Sequence, residues 1–426
     1  MTDAVLVADL GQNALAATTA GGFNTYALLI FPMGICFIVS SFAAQLQGKG
    51  DLAGARRYGW YGLGVAALTQ VVGLADMPLV EAVIAQFGYA PDVQSLMIQY
   101  LVVRLASSGA AIGLEALANY YGGIGDTRTP MVANVLAMVL NVVLSVVLIQ
   151  GLWGLPALGV AGAAWGSALA TAAAFGALLW RFLATGKSVP GERKPLSRSE
   201  FGRMLRFGLP SGLNWFFEFF AFNFFINVVV NGLGTTALAA LGAVFQVNSV
   251  SFMPAFGLAS AGAILVGQAI GEGHKDHVPR ILGLTFATAA AWQCLAGLAY
   301  LLMPEVLLDA FVPDQKPAEA AALLAVGVPM LMLSAAWQLF DAAAATLAET
   351  LRAAGDTSWP LWARVVVAWA LFVPGSWYCA RVLGLGELVA VGWIVGYIGL
   401  LALALLWRFR SGAWRSITLV DELPPV

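Results

Sequence analysis

Two carboxylates lie inside long apolar stretches of the sequence. Glu218 is embedded in PSGLNWFFEFFAFNFF (Pro210–Phe225), and Asp341 follows WQLF and precedes a run of four alanines. A carboxylate at the centre of a bilayer costs roughly 2.5–3.5 kcal/mol or more when charged, so such groups usually face the protein interior and have a function. If these two face each other, only one is readily ionised at neutral pH, because like charges repel strongly in a low dielectric. Such a pair can share a proton and exchange it for a cationic ligand.

Helical spacing predicts which side chains accompany the two acids. Those that share the face of Glu218, or lie one turn before Asp341, are Asn214, Trp215, Phe222, Trp337 and Gln338. A buried negative charge beside an amide and aromatic faces can hold a cation or a proton, so these residues are candidate cavity residues. The alternative is structural. Each acid would then pack between helices, with Glu218 neutralised by burial or hydrogen-bonded to Asn214.

The composition is that of a polytopic membrane protein. Of 426 residues, 60% are hydrophobic and 10% are charged, a balance that soluble domains of this length do not have. About eleven stretches reach the roughly 20 apolar residues that cross a bilayer core as a helix, which predicts an all-α membrane protein. The predicted spans are 22–47, 56–79, 94–121, 128–150, 157–184, 203–231, 236–270, 279–303, 319–351, 358–383 and 386–408. Residues 1–18 are interpreted as a stub, too short for a full span.

The basic residues predict the orientation and the domain boundaries. Lys and Arg are concentrated in alternate connections and after the last span. Basic connections stay on the cytoplasmic side, so the C-terminus of this multi-pass protein is predicted to be cytoplasmic, at the plasma (inner) membrane. The most polar interior connection separates two halves. The predicted domains are an N-terminal helix bundle (1–185), a cytoplasmic linker (186–200), a C-terminal helix bundle (201–410) and a cytoplasmic tail (411–426).

The two halves repeat each other. Three ordered matches link them: LGQNALAA (Leu10–Ala17) with LGTTALAA (Leu233–Ala240), Gln45-x-x-Gly48 with Gln268-x-x-Gly271, and GDTRTP (Gly125–Pro130) with GDTSWP (Gly355–Pro360). They predict two pseudo-symmetric bundles, an arrangement typical of transporters that rock about a central cavity. A full span precedes the second copy, whereas nine residues precede the first. The first helix of the N-terminal bundle is therefore expected to be largely absent from this chain.

The ordered set of motifs resembles the multidrug and toxic compound extrusion (MATE) family, in its NorM-like branch. The resemblance covers nearly the whole chain and rests on DAVLVADLGQNALAA, AAQLQGKGDLAGARR, GDTRTP, GLPALGVAGAAWGS, FGLPSGLNWFFE, LVGQAIGEG and WQLFDAAAATLAETLRAAGDT. It implies the 12-helix MATE fold of two six-helix bundles. It also implies secondary active efflux of amphipathic organic cations by antiport with H⁺ or Na⁺, with alternating access between the bundles.

The same resemblance assigns coupling residues. Glu218 and Asp341 match the coupling carboxylates of the family's C-terminal bundle, and Asp3, in T-D-A, matches the acid of its V-D-T motif. The family's Asn-x-x-x-Asp pattern is half present, because Asn141 is in place and Ser145 occupies the acid position. This departure favours the C-terminal bundle as the coupling site.

Two further expectations concern ions and polar cavity residues. Na⁺-binding relatives can have a tyrosine where this chain has Trp337, which has no oxygen to bind Na⁺, so H⁺ is favoured over Na⁺ at Glu218 and Asp341. Amides that could bind substrate, or equally form interhelical hydrogen bonds, are Asn24, Asn141 and Gln246. No cofactor and no metal site are expected. The expected partners are small organic cations and the lipid bilayer, with no nucleic acid, and the protein is expected to be a monomer.

Three other functions compete with efflux. A flippase for a lipid-linked precursor has a related fold, but such cavities contain several basic residues, whereas the candidates here are acidic and aromatic. An intramembrane enzyme would need a catalytic motif, and H-E-x-x-H and G-x-S-x-G are both absent from the sequence. A non-transporting receptor or scaffold would show no transport, and its activity would not change on loss of Glu218 or Asp341.

Overall fold

The computed structural model describes residues 3, 6–7, 10–186, 195–309, 311 and 317–420, and every regular element within these ranges is a helix. In the described residues, ten helices are long and apolar enough to cross a membrane, or eleven if the bent pair Pro91–Ala106 and Ser108–Gly123 is one span. Large apolar side chains such as Trp180 and Leu403 are exposed on these helices. An apolar surface of this extent is expected where helices face lipid.

The chain divides into two compact units, Met1–Gly212 and Leu213–Val426. The first unit contains α1 (Gln12–Gly48), α2 (Leu52–Asp76), α3 (Pro91–Ala106), α4 (Ser108–Gly123), α5 (Arg128–Gln150), α6 (Gly159–Gly186) and the beginning of α7 (Arg198–Phe224). A 3-10 turn and a short helix extend α2 to Ile84.

The second unit begins within α7, which continues as a π-helical turn over Phe225–Val230. The helices that follow are α8 (Thr235–Gly271), α9 (Val278–Leu302), α10 (Pro304–Asp309), α11 (Pro317–Ser334), α12 (Gln338–Ala353), α13 (Ser358–Val365), α14 (Val373–Trp377) and α15 (Glu387–Arg410). π-helical turns at Val366–Phe372 and Tyr378–Val382 make α13 and α14 one long element. π-helical turns are rare in proteins, and those that occur are often found at functional sites.

The helices of the two units correspond in length, in agreement with the sequence repeat. α1 and α8 each contain 37 residues, α2 and α9 each contain 25, and α4 and α12 each contain 16. Gly11 and Gly234 precede α1 and α8 with φ of 102° and 117°, and Gly125 and Gly355 of the GDT motifs have φ of 86° and 89°. Such angles favour glycine, so the repeated glycines mark repeated turns.

Two sequence predictions about spans need correction. α1 begins at Gln12 rather than at residue 22, so residues 12–18 of the predicted stub belong to the first long helix, whose start is set by the turn at Gly11. The predicted span 94–121 is bent by 48° between α3 and α4. Ser107 lies at the bend with φ −107° and ψ 8°, and its hydroxyl donates to the carbonyl of Arg104 at 3.1 Å.

Polar contacts fasten the start of α7 to α2. The guanidinium of Arg57 donates to both carboxylate oxygens of Glu200, at 3.0 and 3.1 Å. The hydroxyl of Tyr61 donates to Glu200 at 2.7 Å and accepts from the amide of Ser197 at 2.7 Å. The beginning of α7 therefore belongs to the first compact unit. Within the predicted linker 186–200, residues 187–194 lie outside the described residues.

The aspartates of the two GDT motifs fix the turns before α5 and α13. Asp126 accepts from the amide of Thr129 at 3.1 Å and from its hydroxyl at 2.6 Å, and it pairs with Arg181 at 3.2 Å. Burial alone would raise the pKa of Asp126, but these donors outweigh it, so the pKa lies below its usual value. Asp356 is buried and binds Arg408 at 2.6 Å.

Candidate functional site

Glu218 is part of an ion pair within the second unit. α7 places Glu218 beside Arg364 of α13, and the guanidinium of Arg364 binds Oε2 of Glu218. The side chains are 23% and 11% exposed, respectively. The hydroxyl of Tyr397, on α15, donates to Oε1 of Glu218 at 3.3 Å. Both oxygens of Glu218 are therefore held by donors, and one donor carries a full positive charge.

Asp341 lies in the first turn of α12 and belongs to the same cluster. Its Oδ2 accepts from the side-chain amide of Gln293, on α9, at 3.2 Å. It also lies within electrostatic range of Glu218 and Arg364. Asp341 and Glu218 therefore interact with each other and with Arg364, a charged partner that the sequence prediction did not include.

Arg364 requires a new interpretation. Its position near one end of a predicted span suggests a structural residue or a gate at the cytoplasmic surface. In the structure its side chain reaches Glu218, which lies deep within a helix of the predicted bilayer core. A charge in such a position is stabilised by pairing. When both acids are ionised, the guanidinium leaves the cluster with a single net negative charge.

A second polar network lies behind Asp341. Gln338 donates to Asn248 at 2.7 Å, and Asn248 donates to the hydroxyl of Ser334 at 3.1 Å. Ser251 donates to Gln338 at 3.4 Å and accepts from Tyr300 at 2.8 Å. These residues are all buried. The network joins α8, α9, α11 and α12. Gln338, a predicted cavity residue, therefore forms interhelical hydrogen bonds in the structure.

The aromatic and amide candidates surround this cluster in different ways. Trp337 is buried in the hydrophobic core of the second unit. Phe222 is half-buried and its ring lies 5.8 Å from that of Tyr397, so it packs directly beside the hydroxyl donor of Glu218. Trp215 packs edge-on against Phe256 at 5.7 Å. The side-chain oxygen of Asn214 is buried without a hydrogen-bond partner, and in the described part of the chain Glu218 is bound by Arg364 and Tyr397 rather than by Asn214.

Asp3 occupies a separate polar site within the first unit. It is 8% exposed, and its carboxylate accepts from the hydroxyl of Tyr100 at 2.8 Å, from the amide of Asn141 at 3.3 Å and from the hydroxyl of Ser167 at 2.7 and 2.8 Å. Asn141 also donates to Ser145 at 3.5 Å. The serine that replaces the acid of the Asn-x-x-x-Asp pattern therefore lies beside Asn141, and Asp3 supplies the carboxylate of this site.

The remaining amide candidates are outside both acid clusters. Asn24 is half-buried and its amide lies 3.8 Å from the sulfur of Met97. Gln246 is half-buried, and its backbone carbonyl accepts from the hydroxyl of Ser249 at 2.7 Å. Neither residue contacts the acids in the described hydrogen bonds, so their assignment to a substrate cavity stays a prediction.

The potential metal ligands are separate from these acids. Among the residues that the structure describes, the one group of three that could hold a metal ion is His274, Asp276 and His277, and all three are exposed. Exposed polar loops commonly have such groups without a metal. Among those described residues, Glu218 and Asp341 do not belong to a group of this kind.

Sequence reasoning missed Tyr397 and Gln293 as functional candidates, and it gave Arg364 a structural or gating role rather than a place beside Glu218. Each belongs to a different helix from the acid that it contacts, and Arg364 and Tyr397 lie far from Glu218 along the chain. A usable signal exists for Arg364, which is the one charged residue between Arg352 and Arg381 apart from Asp356 of the GDT motif. An isolated charge within an apolar span generally has a partner of opposite charge.

Comparison with known proteins adds a family match. The family model described as MatE matches residues 1–147 and 210–377. A protein of Rhizobium meliloti (strain 1021) named "Probable multidrug resistance protein NorM" is 29% identical over 423 residues, which cover 96% of this chain and 88% of that protein. The "Multidrug resistance protein NorM" of Burkholderia vietnamiensis is 26% identical, over 96% of this chain and 89% of that protein.

Solved structures share the fold. The outward-facing conformation of a multidrug resistance MATE family transporter of the MOP superfamily superposes with a TM-score of 0.86 at 21% identity, over 98% of this chain and 92% of that chain. The eukaryotic MATE transporter AtDTX14 superposes with a TM-score of 0.83 at 15% identity, over 97% and 91%. At these identities the comparison concerns the fold alone.

Proposed function

The chain belongs to the MATE family of multidrug efflux transporters, and from that premise we propose that it exports amphipathic organic cations in exchange for H⁺. The observation that carries the proposal is the cluster of Glu218 and Asp341 within the second unit. A buried site with one net negative charge favours either a proton or a cationic substrate, but not both together. Competition for that charge is the basis of antiport.

Two observations favour H⁺ over Na⁺ as the coupling ion. The oxygens of Glu218 already accept from Arg364 and Tyr397, so they are poorly available to a metal ion. Na⁺ needs several oxygen ligands at once, whereas a proton binds to one carboxylate oxygen without further ligands. The buried Trp337 supplies no oxygen near Asp341.

Asp3 is proposed as a second protonation site. Its partners Tyr100, Asn141 and Ser167 are neutral donors, which stabilise a carboxylate but supply no counter-charge. Loss or gain of a proton at Asp3 would therefore change the net charge of this part of the first unit. The two sites together would bias the alternating-access cycle in which substrate and H⁺ move in opposite directions.

The multi-pass membrane location follows from the helices, and the inner membrane and the cytoplasmic C-terminus are part of the proposal. The flippase alternative is not favoured, because the relatives are multidrug resistance proteins and the second-unit cluster has more acids than bases. We propose a monomer without a cofactor.

Everted vesicles that contain the full chain test the proposal. Uptake of ethidium would be followed by fluorescence under three conditions: no ion gradient, an imposed pH gradient and an imposed Na⁺ gradient. The pH gradient alone should drive uptake, and Glu218→Gln and Asp341→Asn should each lower it by about tenfold or more. Uptake that requires Na⁺ would overturn the choice of H⁺, and uptake that is unchanged in both variants would overturn the coupling site.

A further inference from the structure

The two acids of the cluster differ in the hydrogen bonds that they can make when protonated. Glu218 accepts from Arg364 at one oxygen and from Tyr397 at the other. An arginine cannot accept a hydrogen bond, and its charge favours the ionised carboxylate. A proton on either oxygen of Glu218 would displace one of these donors. The surroundings of Glu218 therefore match a permanent carboxylate.

Asp341 has the opposite surroundings. Its hydrogen bond comes from the neutral amide of Gln293, a fully buried side chain whose own oxygen has no hydrogen-bond partner. An unpaired buried acceptor is costly, by about 1–3 kcal/mol. Protonation of Asp341 would supply a donor that Gln293 can accept after rotation of its amide. Gln293 thus offers a hydrogen bond to Asp341 in both protonation states.

We propose that Arg364 is a counter-ion that keeps Glu218 ionised and leaves Asp341 as the single exchangeable acid of the cluster, with Gln293 as the positioning residue that serves both of its protonation states. The inference rests on the proposed function for its transport consequences but not for the assignment itself. The charged groups that face Asp341 are Glu218 and Arg364, with Tyr397 beside them. The cluster then binds one positive charge at a time, either one proton or one monovalent organic cation.

The assignment is testable without transport. Purified full-length protein would be titrated by infrared difference spectroscopy, which detects the carbonyl stretch of a protonated carboxyl. We expect one band from the cluster, which is lost in Asp341→Asn and retained in the double variant Glu218→Gln with Arg364→Gln. Gln293→Leu should shift that band, because it removes the hydrogen bond in both states. A band that persists in Asp341→Asn and disappears in the double variant would overturn the assignment.

A rescue experiment tests the role of Arg364 in transport. Glu218→Gln alone leaves Asp341 as the one acid of the cluster that faces the guanidinium, so the cluster loses its net negative charge. We therefore expect this variant to lower ethidium transport by about tenfold or more. The double variant removes both charges and leaves one negative charge at Asp341, so its transport should exceed that of Glu218→Gln by about threefold or more. Arg364→Lys keeps the charge and Arg364→Gln does not, so the lysine variant should transport faster than the glutamine variant.

The two claims fail in different ways. If the double variant is as inactive as Glu218→Gln while its infrared band is unchanged, the counter-ion role of Arg364 in transport is overturned. If the parent chain moves no cation but the infrared band follows Asp341, the proposed function fails and the assignment of the exchangeable acid stands.

Discussion

Ser167 and Tyr397 lie at equal distances after Gly125 and Gly355, the glycines of the two GDT motifs, and each donates a hydrogen bond to the carboxylate of its own unit. Ser167 donates to Asp3 and Tyr397 donates to Glu218. The two acids, in contrast, do not occupy equivalent positions of the repeat. Asp3 precedes α1, whereas Glu218 lies within α7. The duplication has therefore kept a hydroxyl donor in equivalent helices, α6 and α15, while the rest of each site diverged.

The hydroxyl of Tyr397 is expected to matter for transport. Tyr397→Phe removes a hydrogen bond to a charged acceptor, which is generally worth about 1.5–3 kcal/mol, so the efflux rate should fall by about tenfold or more. Rates in everted vesicles, normalised to the amount of protein in the membrane, are the measurement. Tyr300→Phe is the matched control, because that hydroxyl belongs to the packing network with Ser251. A larger loss of transport in the control would contradict the role of Tyr397.

Equivalent glycines should differ in their tolerance of a methyl group. A Cβ at Gly166 would lie 2.7 Å from the backbone of Ser145, whereas nothing lies within 4 Å of a Cβ at Gly396. Gly166→Ala should lower the free energy of unfolding by about 1–3 kcal/mol, because α5 and α6 must separate. Gly396→Ala should be neutral or stabilising by up to about 1 kcal/mol, the usual helix preference for alanine. Thermal unfolding of both purified variants checks this, and equal melting temperatures would be the contrary result.

The two arginines that bind the GDT aspartates should differ in their contribution to stability. Arg408 pairs with Asp356, whose side chain is 4% exposed, whereas Arg181 pairs with Asp126 with side chains 52% and 29% exposed. Arg408→Gln should cost about 3–5 kcal/mol, since it leaves a buried carboxylate unpaired. Arg181→Gln should cost less than about 1 kcal/mol. Unfolding of the two variants side by side is the measurement, and a larger effect of Arg181→Gln would contradict this account.

Asp126 should contribute to stability only above acidic pH. Its pKa is lowered in the folded protein, so its stabilising effect is fully present above the unfolded-state pKa and is lost as the pH falls through the folded-state pKa. The difference in melting temperature between the parent and Asp126→Asn should therefore be constant near neutral pH and shrink in strong acid. A difference that grows on acidification would show the opposite sign of linkage.

The orientation can be checked with alkaline phosphatase, which is active outside the cytoplasm. A fusion after Val426 should be inactive, and a fusion after Phe311, in a connection with few basic residues, should be active. The reverse pattern would contradict the orientation predicted from Lys and Arg.

The spans and the repeat were predictable from sequence because their signals are local. Apolar length identifies a span, and the glycines before α1 and α8 recur with the same motif. The acids Glu218 and Asp341 stood out for the same reason, as charges in apolar surroundings. The pairing of Glu218 with Arg364 and Tyr397 was not predictable, because it depends on how α7, α13 and α15 pack. The sequence around Arg364 is also consistent with the end of a span. The start of α1 was mistaken because a weakly apolar first turn lies after Gly11, where backbone geometry rather than hydropathy sets the boundary.

The most direct test of the central claim is whether substrate movement drives proton movement. Proteoliposomes that contain the purified full chain would be loaded with tetraphenylphosphonium and diluted into cation-free medium with no initial pH gradient, and the internal pH would be followed with a trapped dye. Antiport predicts that the interior acidifies as the cation leaves, and that Asp341→Asn removes the acidification. Exit of the cation through the parent protein with no change in internal pH would contradict the account.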